Sequence, residues 1–145
     1  MPTSVRRLWL AGACVVVAAC GGERKESGER AEASPAANGE VKPAPGGHVL
    51  EVKLFSNEKG NYFEPSEIAA RQGDVVKFGL KLGVHNVNFL PDSNPGKTGL
   101  PKASDMLQLP DQTYDLLVTL APGTYYFQCD PHALLGMKGH LTVTK

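Results

Sequence analysis

Residues 47–145 predict an all-β domain, an antiparallel sandwich or barrel of six to eight short strands, and three observations carry that expectation. Apolar residues recur at every second position in segment after segment, the period of a strand buried on one face. Turn-forming clusters, among them Gly73-Asp74, Asn94-Pro95-Gly96 and Ala121-Pro122-Gly123, separate those segments at short intervals. No stretch of the domain carries the 3.6-residue period of a long helix. About a hundred residues are enough for one domain with a single core.

The first strand spans His48 to Phe55, with Leu50, Val52 and Leu54 on one face and Glu51 and Lys53 on the other. Residues 56–61 are turn-rich, and Phe63, Pro65 and Ile68 follow as scattered apolar anchors. A strand opens after Gly73-Asp74, pointing Val76, Phe78 and Leu80 inward and Lys77 and Lys81 outward. Residues 84–90 read as a further strand, with His85, Val87 and Phe89 in the core-facing register and Asn86 and Asn88 opposite. Residues 91–110 are irregular and long for a structureless connection, so a short helix is expected within 103–107. Tyr114, Leu116, Val118 and Leu120 mark the next strand. Tyr125, Phe127 and Cys129 are the inward face of another, and Leu141 and Val143 that of the last.

The chain before the domain has a different character. Arg6 and Arg7 precede an apolar run from Leu8 to Ala19, too short for a permanent membrane span but suited to a signal peptide over residues 1–19. The run ends Val17-Ala18-Ala19-Cys20-Gly21, which resembles a bacterial lipoprotein signal, so Cys20 is the expected lipidation site and membrane anchor. Residues 20–46, rich in Gly, Glu, Ala, Pro, Lys and Ser, are expected to be a flexible tether, because they cannot bury enough apolar surface to offset the entropy of ordering. Export to the periplasmic or cell-surface side of a membrane follows from these features.

Acidic and basic residues balance at fifteen each, and no basic cluster stands out, so nucleic-acid binding has no electrostatic footprint. With Cys14 in the signal and Cys20 lipidated, Cys129 is the only cysteine of the domain and has no disulfide partner within it. A lone thiol in an oxidising compartment is buried, modified or metal-bound, and its neighbours favour metal. The run Cys129-Asp130-Pro131-His132-Ala133-Leu134-Leu135-Gly136-Met137 places a thiolate, an imidazole and a thioether on one loop between two strands. His85 is the candidate fourth donor. Two imidazoles, a thiolate and a weak thioether form the donor set of one-electron copper sites.

Those residues also resemble a family. Phe63-Glu64-Pro65, Ile68, Gly73-Asp74, Val76, Phe78 and His85-Asn86-Val87, together with Pro122-Gly123, Tyr125, Phe127, Cys129, Pro131, His132 and Gly136-Met137, are similar to the plastocyanin/azurin type of cupredoxin, the small blue copper proteins. The resemblance covers most of the domain and none of the signal or tether. It implies a Greek-key β-sandwich and a single type 1 copper ion, with His85, Cys129 and His132 equatorial and Met137 axial. It also implies one-electron transfer between redox protein partners by a monomer. Asn86 reads either as a plain turn residue or, by the resemblance, as a residue that pins the ligand loops together. Pro131, Ala133, Leu134 and Leu135 are apolar residues of a surface loop, and in the family such residues ring the exposed edge of the second histidine as a docking patch. Gln128 stands where plant-type relatives carry an aromatic residue, and acidic runs are missing, so the photosynthetic partner is not implied.

Copper delivery or resistance without redox turnover is the competing function, but no methionine- or histidine-rich cluster accompanies the site. An enzyme acting on a small-molecule substrate is not expected: an inward cysteine among apolar neighbours has no evident base or substrate cleft. A binuclear copper centre needs a second cysteine on the loop, and a thioether ligand is unusual for zinc.

Overall fold

The computed structural model describes residues 40–145, so the expected signal peptide, Cys20 and most of the tether lie outside the described residues. Seven strands form two sheets: β1 (Val49–Asn57), β2 (Gly60–Glu64), β3 (Glu67–Arg71), β4 (Val75–Leu80), β5 (Thr113–Leu117), β6 (Gly123–Gln128) and β7 (Lys138–Thr144). One sheet has the order β2-β1-β4-β5 and the other β3-β7-β6, and neither closes into a barrel. The alternation expected from the sequence sets the inward faces. Val52 and Leu54, Val76, Phe78 and Leu80, Tyr125 and Phe127, and Leu141 and Val143 are all buried.

Phe63 and Phe78 from one sheet meet Phe127 from the other edge-to-face, with ring centroids 5.0 and 5.5 Å from that of Phe127. These are favourable geometries for aromatic rings, and they knit the two layers beneath the loop that follows β6.

Five sequence expectations are corrected. Residues 56–64 contain a hairpin and not only a turn: β1 runs to Asn57 and β2 starts at Gly60, with Ser56 opposite Asn61. Ile68 belongs to β3, whose alternation is hard to see because its other buried residue is the small Ala70. An antiparallel sandwich was expected, yet β1 pairs β4 and β3 pairs β7 in parallel. The chain reaches β4 from β1 through a strand of the other sheet, and a crossover of that kind lets neighbours run the same way.

The fourth correction concerns residues 84–90, which form no regular strand. They are drawn between two partners: His85 exchanges backbone hydrogen bonds with Leu107 (3.1 and 2.8 Å), and Asn88 does so with Gln128 of β6 (2.9 and 3.0 Å). His85, Asn86 and Val87 are therefore buried in succession, which no alternating pattern could foretell. The fifth is that residues 103–107 form no helix: Ser104 N–H donates to the Val87 carbonyl (2.9 Å), and Leu107 bridges His85.

Within residues 91–100, Asn94 makes the buried polar contacts, and Leu100 packs against the core. Asn94 is buried, its amide donating to the Leu90 and Tyr126 carbonyls (2.8 and 2.9 Å) and accepting from the Tyr126 N–H (2.8 Å). It thus satisfies backbone groups of β6 as a neighbouring strand would and covers that stretch of sheet edge. The last residues of the expected tether are held against the domain: Ala44 N–H donates to the Gly73 carbonyl (2.8 Å), just ahead of β4, at the opposite end of the sheet from His85. No helix among the described residues is long and apolar enough to cross a membrane. Replacing Asn94 with Ala strands the Tyr126 N–H, and such a loss costs about 1–3 kcal/mol; urea unfolding of the metal-free domain should show a lower midpoint with an unchanged slope.

Candidate metal centre

The loop after β6 closes on itself. Cys129 is extended, and Pro131 opens a short 3-10 helix, Asp130–Leu135, at a position where its fixed φ suits a first turn. Gly136 ends that helix at φ 93°, a left-handed conformation that glycine adopts without a side-chain clash. Met137 then bonds back twice: its carbonyl accepts from Cys129 N–H (3.1 Å), and its own N–H donates to the His132 carbonyl (3.1 Å). Cys129, His132 and Met137 are thereby fixed by main-chain bonds alone. Cys129 and Met137 are wholly buried and His132 is half-buried.

His85 arrives from the other side of the sandwich end, and it too is wholly buried. Its Nδ1 lies 3.2 Å from Nδ1 of His132 and 3.5 Å from Sγ of Cys129, and the third side of the triangle, Sγ to His132 Nδ1, is 3.4 Å. The point equidistant from three atoms so placed is about 1.9 Å from each, close to metal–imidazole bond lengths of roughly 2.0 Å. Among the described residues this is the one cluster of three or more histidine, cysteine and acidic side chains able to share an ion.

The tautomer of His85 follows from its other nitrogen. Nε2 faces the Leu82 carbonyl at 3.0 Å, and a carbonyl can only accept, so Nε2 carries the hydrogen. Nδ1 is left with a lone pair aimed into the triangle. A shared proton satisfies only one edge of that triangle at a time, whereas a cation at its centre satisfies all three corners. Burial lowers the pKa of His85, opposed by the Leu82 carbonyl and reinforced by the neighbouring imidazole, so the ring is held in its neutral, ligating form. Burial likewise raises the Cys129 thiol, against backbone bonds from Asn86 and His132 that favour the thiolate and with the Asp130 charge adding to the rise. A cation reverses that balance, because a coordinating thiol is deprotonated outright.

One residue next to the triangle was missed at the sequence level. Asp130 accepts side-chain amide bonds from Asn86 (2.8 Å), Asn88 (3.0 and 3.1 Å) and Gln128 (2.9 Å), while its N–H donates to Asn86 Oδ1 (2.8 Å). Asn86 is thus a buried two-way tie between the His85 segment and the cysteine loop, and not a plain turn residue. The signal available was the pair Asn86 and Asn88 bearing on the residue after the cysteine, but only their convergence in space gives it meaning. Of the residues expected to form a docking patch, Leu134 is fully exposed and Leu135 is 68 % exposed. Pro131 is also exposed, and Ala133 is half-buried.

Comparison with known proteins agrees with this geometry. The model of the copper binding proteins, plastocyanin/azurin family, matches residues 50–144. The chain belongs to that family. It is 38% identical over 96 residues to plastocyanin A/B of Petroselinum crispum, covering 64% of this chain and 98% of that protein. It is 37% identical over 103 residues to the chloroplastic plastocyanin of Oryza sativa subsp. indica, covering 69% of this chain and 66% of that protein. The solved structure of the oxidized form of plastocyanin from Dryopteris crassirhizoma matches with a TM-score of 0.55 and 34% identity, over 66% of this chain and all of that one. The fold is therefore the cupredoxin sandwich, and the cofactor of the family is copper.

Asp130 gives a pH test. Burial works against its ionisation, but the Gln128, Asn86 and Asn88 amides outweigh that and hold its carboxyl below the ordinary value. A pKa lowered by folding contributes stability that is complete above the unfolded value, near 4, and is lost as pH falls through the folded value. The stability advantage of the native domain over Asp130→Asn should thus be largest at neutral pH and shrink below about pH 4, as read by urea unfolding at a series of pH values.

Proposed function

We infer that this chain is a one-electron carrier holding a single copper ion through His85, Cys129, His132 and Met137. The observation that carries the reading is the triangle of His85 Nδ1, His132 Nδ1 and Cys129 Sγ, with sides of 3.2, 3.4 and 3.5 Å. Copper bound to two imidazoles, a thiolate and a weak thioether supplies one-electron chemistry with both oxidation states tolerated. The protein contributes rigidity. Backbone bonds fix the nine-residue loop, the Leu82 carbonyl fixes the His85 ring, and Asn86 with Asp130 locks the two segments together. Donors held in this way need little rearrangement when the charge at their centre changes by one. Complete burial of His85, Cys129 and Met137 also supports a retained ion over one handed on, since delivery calls for donors that a recipient can reach.

His132 is the half-buried member of the set and links the interior to the surface. Around it Pro131, Leu134 and Leu135 are exposed, and Leu82, Val84 and Leu109, on the segments that hold His85, are 54%, 44% and 63% exposed. An exposed group of apolar residues of this kind suits brief docking of a redox protein, with the electron passing through His132. The chain acts as an exported monomer tethered to a membrane through lipid on Cys20, a reading supported by the sequence of residues 1–46.

Cu(II)-loaded protein should show an intense thiolate-to-copper absorption band in the visible, and Cys129→Ser should abolish it; a band that survives the substitution would overturn the ligand assignment. Leu134→Lys should slow electron exchange with a partner protein by about tenfold, corresponding to about 1.4 kcal/mol, while leaving the visible and EPR spectra unchanged. Stopped-flow kinetics with the native partner, or electron self-exchange measured by NMR, would read the effect.

A further inference from the structure

The outer nitrogen of His85 has a second neighbour that the copper reading does not require. Ser56, near the end of β1, places Oγ 3.2 Å from His85 Nε2, beside the Leu82 carbonyl at 3.0 Å. The same serine's backbone N–H donates to that carbonyl (2.8 Å), so Ser56 grips both the ring and the group that fixes the ring. Its hydroxyl is itself oriented: it donates to the side-chain oxygen of Asn61, the residue opposite it in the β1–β2 hairpin. With its hydrogen turned to Asn61, the hydroxyl presents a lone pair to the Nε2–H of His85.

The surrounding backbone leaves room for this contact. A Cβ on Gly83 would stand 2.5 Å from Ser56 Oγ and 2.7 Å from His85 Nε2, and Gly83 has φ +103°. Any other residue at that position would drive the hydroxyl and the ring apart. Three residues of two separate segments thus converge on a ring nitrogen that points away from the triangle.

We propose that Ser56, oriented by Asn61, is a positioning residue for the metal site, which sets the plane of the His85 ring and so the direction of the Nδ1 lone pair. The proposal rests on His85 being a ligand. Partners of this kind, bonded to the non-coordinating nitrogen of a ligand histidine, typically contribute 10–100-fold in metal affinity. A single backbone carbonyl lets the ring rock about one contact; a second acceptor fixes it.

The test uses Ser56→Ala, Asn61→Ala and the double variant in the full-length protein. In the metal-free state, the His85 Nε2–H proton signal should move upfield and exchange faster with solvent in Ser56→Ala, at an unchanged urea midpoint. Cu(II) affinity, measured by competition with a chelator, should fall about tenfold, and the visible and EPR spectra should shift. Asn61→Ala should weaken binding less, and the double variant should match Ser56→Ala, because Asn61 acts through the hydroxyl. Native-like proton signal, affinity and spectra in Ser56→Ala would overturn the proposal, as would an Asn61→Ala effect that persists undiminished without the hydroxyl. Should the unmodified protein take up no copper, the ligand reading itself fails. The proton signal of the metal-free protein would still decide whether Ser56 orients the ring.

Discussion

Everything about the metal centre depends on how two chain segments, more than forty residues apart, are kept in register at one end of the sandwich. The sheets alone do not do it, because residues 84–90 belong to neither as a strand. The tie is polar: Asn86 exchanges hydrogen bonds with Asp130 through side chain and main chain, and Asn88 pairs with Gln128 through the backbone. Such a tie is directional in a way that apolar packing is not. It fixes distances to tenths of an ångström, the tolerance needed when three donor atoms must surround one point. The aromatic layer below, Phe63, Phe78, Phe89 and Phe127, supplies the firm floor on which the tie is built.

Much of this was legible in the chain itself. Near-regular alternation in residues 48–55, 76–81, 124–129 and 140–144 marked those strands and most of their buried faces, because a half-buried strand imposes that period. The grouping of Cys129 and His132 with His85 could be anticipated, because a cysteine and a histidine at short spacing on one loop suit a soft metal ion. What could not be read was whatever depended on contact at a distance. The strand at 67–71 was obscured by two alanines, and the parallel pairings need the path of the chain between sheets. Residues 85–87 are buried one after another because they lie between the segment around Leu107 and the end of β6, an environment that has no signature along the chain. Asp130 went unnoticed for the same reason: an aspartate in a loop is ordinary until three amides are found to face it.

The two imidazoles are held by different means, and that difference has chemical meaning. His85 is interior, with its outer nitrogen occupied by Leu82 and Ser56, whereas His132 rides on a short 3-10 helix whose apolar neighbours face solvent. Burying the thiol and one imidazole while leaving the second half-open confines solvent access to a single side of the centre, which protects the site without isolating it.

The first described residues also bear on how the domain meets mechanical load. The Ala44 N–H is bonded to the Gly73 carbonyl ahead of β4, and Val41 lies against the Asp115 carboxylate on β5 (3.5 Å). Tension applied at Val41 and Ala44 would be taken up by two neighbouring strands, at the middle of β5 and just ahead of β4. A pull at that point would strain the hem of the fabric before it reached the clasp.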